Sequence, residues 1–108
     1  MQSAPEDRRD HRQRVYLTAV LERMRQSTAE EDRIRSKARA LLALKRRHDL
    51  AGEEHLLRWE RFLAMPVDQL AEALLQNGPE GREARHSHMF AASLPPREAN
   101  RLLYEAGF

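Results

Sequence analysis

Cysteine is absent from the chain. That removes disulfides, thiolate zinc sites and cysteine nucleophiles together, and it suits a reducing compartment. No apolar run approaches the roughly 20 residues a membrane-spanning helix needs, so no membrane partner is expected. Residues 1–13 are charged and lack the apolar stretch of a secretory signal, while Glu6, Asp7 and Asp10 argue against an arginine-rich transit peptide. The expectation is a soluble cytoplasmic chain, mature as written. Glycine is scarce too. Gly78 and Gly81 lie three apart with Pro79 after the first, which is no phosphate-cradling loop. Lysine is rarer still: only Lys37 and Lys45, against 17 arginines. Arginine's planar fork suits phosphate and carboxylate recognition. Most arginines here also have an acid at helical spacing, which favours solvated, paired helix faces encoded by a GC-rich genome.

What is present fits one domain with one core. At 108 residues a chain buries roughly 60–70% of its unfolded surface, enough to fold without staples. Charge is unevenly placed: residues 1–48 carry 13 basic and 7 acidic side chains, residues 49–108 carry 6 and 10. The first half is thus basic and the second acidic.

The apolar residues recur with a helical period, and no segment alternates as a strand would. Residues 1–8, with Pro5 and no apolar run, read as a flexible N-terminal tail, and residues 9–108 as a single helical domain. The first helix starts near Asp10, with Leu17, Val20, Leu21 and Met24 forming one stripe widened by Tyr16 and Ala19. Ser27 with Glu30, or Thr28 with Glu31, has capping-box spacing and opens a second helix running to about His48. Ile34, Ala38, Leu41 and Leu42 mark its inner face, and Lys45 to His48 place cations at its negative pole. A third helix spans about Glu53–Ala64, with Leu56, Trp59 and Leu63 on one face and Phe62 beside it. Pro66 forces Met65 out of helical angles, so the fourth helix (Val67, Leu70, Ala71, Leu74, Leu75) follows at a corner. Gly78 is expected to end it in a left-handed cap and Pro79 to start another turn or two. His86–Pro95 is irregular, Pro95-Pro96 opens a last helix with Ala99, Leu102 and Leu103 inward, and Gly107 caps it, folding Phe108 back onto Leu103. The fold class is all-α: about five helices, two longer N-terminal ones followed by three or four shorter ones. The first two are expected to form an antiparallel hairpin across whose end the others pack. The alternative is a protruding arm that dimerises through its stripe.

No constellation announces chemistry. The five histidines include His86-x-His88 and the pair His48 and His55, but neither matches a zinc signature, which needs three or four converging ligands. Ser27, Ser36, Ser87 and Ser93 sit in no framed nucleophile motif. No catalytic residue, metal ligand or cofactor is therefore assigned, and an enzyme is not expected. A basic face can be drawn through the first two helices, from Arg8, Arg9, Arg12, Arg14, Arg23 and Arg25 to Arg33, Arg35, Lys37, Arg39, Lys45, Arg46 and Arg47. It would track a phosphate backbone, but acids are interleaved with it and stacking aromatics are not. A helix-turn-helix fails because the would-be reading helix carries Asp68 and Glu72 and no base. What remains is a protein–protein interaction module, regulatory or inhibitory, with the opposed charges suiting an acidic partner or self-association as a homodimer. Arg35, Arg39, Arg46 and Arg47 are the candidate contacts for such a partner or for nucleic acid. Met89 and Phe90 are candidate anchors if their loop is exposed; the plainer reading tucks that loop onto the core.

Overall fold

The computed structural model describes residues 5–107, with side chains from Asp7 onward. Six α-helices follow one another: α1 Pro5–Gln26, α2 Thr28–Arg47, α3 Glu53–Ala64, α4 Val67–Leu75, α5 Pro79–Arg85 and α6 Pro96–Glu105. No strand occurs among the described residues. Two long helices followed by four short ones is the architecture the periodicity implies. The beginning of the chain differs: α1 already includes Pro5, whose fixed φ is tolerated in a first helical turn, so residues 5–8 of the expected tail are helical. The remainder of that tail and Phe108 lie outside the described residues.

α1 is the hub and packs against α2, α4, α5 and α6, while α2 and α3 pair on one side. Its stripe Leu17, Val20, Leu21 and Met24 is buried, as are Ile34, Ala38 and Leu42 of α2, Leu56, Trp59, Phe62 and Leu63 of α3, and Leu70, Ala71 and Leu74 of α4. Burying each large side chain contributes roughly 1.5–3 kcal/mol. Trp59 stands edge-on to both Phe62 and Phe90, with ring centroids 5.1 and 5.6 Å apart. Because the α1 stripe is consumed inside the chain, the arm that would dimerise through it is not formed.

The helix junctions follow local chemistry. Ser27 alone separates α1 from α2, and its hydroxyl accepts from the Glu30 amide at 3.2 Å. The Glu30 carboxylate turns outward to Arg33 and Arg23 instead of closing a reciprocal box. Met65 is extended (φ −76°, ψ 144°) ahead of Pro66, as the proline demands.

The end of α4 departs from expectation. Its last turn passes into an extended Gln76, and Gly78 (φ 102°) serves as the N-cap of α5 rather than the left-handed cap of α4. Arginine takes over the capping role. Arg85, 2% exposed, donates to the Leu74 and Gln76 carbonyls at 3.0 and 2.8 Å, and Arg14 donates to Leu75 at 2.8 Å. Gly81 allows this approach, since a Cβ there would lie 2.3 Å from the Gln76 carbonyl oxygen. At the other end of the chain, Gly107 (φ 91°) does follow α6 in the left-handed region, its amide donating to Tyr104.

Candidate functional site

The irregular segment His86–Pro95 is held by both long helices. From α1, the Tyr16 hydroxyl donates to the Phe90 carbonyl (3.3 Å) and accepts from the Ser93 and Leu94 amides (3.1 and 3.3 Å). From α2, Arg33 donates to Ser93 and Lys37 to Ala92, each at 2.7 Å. His88 (φ 59°) and Ala92 (φ 57°) sit in the left-handed region, which ordinary side chains seldom adopt. Such strain persists only where surrounding contacts over-determine it, and it concentrates at ligand sites. The five bonds just described provide that over-determination.

Beside this segment lies a groove of about 760 Å³. Gln13, Tyr16 and Leu17 of α1 line it, with Pro96, Ala99 and Leu103 of α6 on one side and residues 88–95 on the other. Arg12 and Arg23 also line it from α1, and Glu30 and Arg33 from α2. Arg12 and Arg23 are eleven positions apart on α1, which at the helical rise is about 16 Å along the axis. Arg23 and Arg33 share Glu30, and Arg23 also reaches Glu98 of α6. The Arg33 bond, set against a smaller effect of burial, holds the Glu30 carboxyl below its ordinary pKa. Arg12 is exposed and forms no ion pair among the described residues. The groove is thus mainly apolar, edged by cations, and its one carboxylate is already engaged.

Next to the groove, Asp10 gathers Arg85 through two bonds (2.8 and 3.1 Å), Arg14 (3.1 Å) and His86 (3.2 Å). Burial acts to raise the Asp10 pKa, but the bonds from Arg85 and Arg14, the charge of Arg85 and the His86 contact outweigh it and hold the carboxyl at about 2. His86 is therefore part of a clamp joining α1 to α5. Its neighbour Ser87 donates to the Ala84 carbonyl at 2.6 Å, and His88 stands exposed on the groove wall. His55 is elsewhere, its Nε2 buried without a partner among the described residues. Burial first, and Lys45 second, lower the His55 pKa. No group of three His, Asp or Glu able to hold a metal ion occurs among the described residues.

The candidate contact residues do not form one surface. Arg35, only 7% exposed, donates to the Leu63 and Met65 carbonyls (3.1 and 2.8 Å) and to Glu31 (2.8 Å), so it is a clamp at the end of α3 and is not offered to a partner. Arg39 adds a bond to Leu63 at 3.1 Å, and Arg46 pairs with Glu60. Arg39 and Arg47 stand exposed without an ion pair among the described residues, and of the two only Arg39 has a hydrogen bond, to Leu63. Met89 and Phe90 are 3% and 2% exposed. They plug the core under the groove, and the anchor role assigned to an exposed loop does not apply. Sequence reasoning passed over Tyr16 as a segment holder and Arg85 and Asp10 as a clamp. Their partners lie 60 to 78 positions away for Tyr16, Arg33 and Asp10, and no local spacing signals that. The chain matches no known protein family, no characterised protein and no solved structure.

Proposed function

We propose that this chain is a small non-catalytic protein–protein interaction module of the cytoplasm, regulatory or inhibitory in action, that receives a segment of its partner in the groove between α1, α6 and residues 88–95. The observation that carries this reading is the groove itself: apolar, about 760 Å³, and walled by a segment holding two left-handed non-glycine residues. Recognition sites are typically concave and mostly apolar, with a few placed polar groups, and their volumes run about 300–1,000 Å³. Two polar groups of the lining are already engaged within the chain: Tyr16 in three backbone bonds and Glu30 with two arginines.

Nucleic-acid binding is supported less well. Among the described residues, Arg14, Arg23, Arg25, Arg33, Arg35 and Arg46 are ion-paired, and Lys37 and Arg39 bond carbonyls. Most of the basic first half is therefore engaged within the chain. Trp59 and Phe90 are buried and the Tyr16 hydroxyl is tied to residues 90–94, which leaves the His88 imidazole as the one exposed ring of the groove lining, too little for a stacking platform.

The test places a photo-cross-linking residue at Ala91, an exposed position on the groove wall, and irradiates native lysate with and without nuclease. A stoichiometric protein adduct is expected that survives nuclease and high salt, and the same protein, recovered by the tagged chain without irradiation, is lost on Ala91→Trp. An adduct that vanishes with nuclease would replace this reading by nucleic-acid binding. Recovery indifferent to Ala91→Trp would remove the groove from it.

A further inference from the structure

We infer that the occupant of the groove is an acidic, amphipathic α-helical segment of about three turns; this rests on the groove being the binding surface. Three features lead there. The chain has no sheet edge among its described residues, so a partner segment cannot be added as a strand. Among the remaining modes, an amphipathic helix laid in a groove is the one that pairs an apolar floor with charged ends. The lining spans Arg12 to Arg23 on α1, about 16 Å, which matches about eleven helical residues.

The third feature is charge. Arg12, Arg23, Arg33 and Arg85 line the groove against a single acid of the lining, Glu30, and Arg85 is tied to Asp10. Arg23 and Arg33 already share that acid, whereas Arg12 forms no ion pair among the described residues. A carboxylate on the occupant near Arg12 gains a charge-assisted, two-pronged bond without breaking one, and a basic side chain there is repelled. The apolar stretch between the two cationic places, formed by Leu17, Ala91, Ala99 and Leu103, takes the occupant's apolar face at i, i+3, i+4 and i+7. The partner is thus recognised by acidic residues at the end of a short apolar helical stripe.

Selection of random twelve-residue peptides displayed against the intact chain tests this. Enriched peptides are expected to be net acidic, to carry apolar residues at helical spacing, and to gain helicity on binding. Arg12→Glu should weaken them by about tenfold or more, the scale of one charge-assisted bond, while Arg12→Lys retains most of the affinity and Ala91→Trp abolishes it. Arg12 is exposed, and circular dichroism and thermal melting of each variant establish that the fold is intact. Enrichment of basic, neutral or extended peptides, no enrichment at all, or affinity unchanged by Arg12→Glu would each overturn the inference. The two readings fail separately. A cross-linked partner captured through Ala91 by a basic or non-helical segment leaves the interaction module standing and removes only the acidic helix.

Discussion

The arginines at the ends of α3 and α4 and Arg12 on the groove are the same residue type in opposite circumstances. Helix α3 ends in an extended Met65 and α4 in an extended Gln76, without the left-handed residue that usually satisfies the last carbonyls. Arg35 and Arg39 bond the exposed carbonyls of α3, and Arg14 and Arg85 those of α4. Each also places positive charge at the negative pole of a helix. On the groove, Arg12 is exposed and makes no hydrogen bond or ion pair among the described residues. The difference teaches that an arginine here is structural where it meets an orphan carbonyl or an acid, as at these helix ends and in Arg23 and Arg33, and available where, like Arg12, it pairs with neither among the described residues.

The widest separation between the two groups should appear in stability. Arg85→Leu strips two carbonyls and Asp10 of their donor at a nearly sealed site, and breaking such a buried pair costs about 3–5 kcal/mol. The denaturant midpoint should fall accordingly, with an unchanged slope. Arg35→Leu should cost about 2–3 kcal/mol, since its lost bonds lie at a slightly more open site where water partly replaces them. Loss near zero in either variant would erase the distinction.

Asp10 sharpens the comparison through pH. Its folded pKa of about 2 lies below the ordinary 3.8. The carboxylate's contribution is therefore complete above the ordinary value and is lost as pH falls through 4 toward 2. Asp10→Asn should lower stability at pH 7 by about 1–2 kcal/mol, allowing for partial solvent contact, and the deficit should shrink toward pH 2. A pH-independent deficit in urea titrations would show that Asp10 is not charge-coupled to Arg85. Ser27→Ala removes a conventional cap and should cost about 1 kcal/mol in the same assay. Smallest is Arg12→Glu, expected to change stability by about 0.5 kcal/mol or less, as for exposed sites without partners, while it changes peptide binding strongly.

Much of the fold was legible because it is written at short range. The stripe Leu17–Met24, the Ser27 cap, the Met65-Pro66 corner and Gly107 all depend on neighbours within a turn or two. The pairs Glu30–Arg33 and Glu31–Arg35 were readable for the same reason. The candidate site was mostly not legible. Arg35 follows Ile34 at the edge of a buried stripe, a hint that it faces inward, but its carbonyl acceptors are 28 and 30 positions on. Asn77-Gly78-Pro79 has the composition of a helix stop, yet the glycine's φ is used to enter α5 and the stop is made by Arg85. Gly81 has no local signal, because what requires it is the Gln76 carbonyl folded over it. The groove exists only once Tyr16 has drawn residues 90–94 onto α1.

The account's central claim is most directly read from the arginine Nε–H groups by nitrogen-15 NMR. In Arg35 and Arg85 that donor is bonded to Glu31 and Asp10, at 2.8 Å in each case, on side chains 9% and 2% exposed. Their Nε–H protons should exchange slowly with water and be indifferent to added acidic peptide. Those of Arg12 should exchange fast when free and slow when the peptide is bound. Fast exchange at Arg35 and Arg85, or no response at Arg12, would contradict the division between clamping and available arginines.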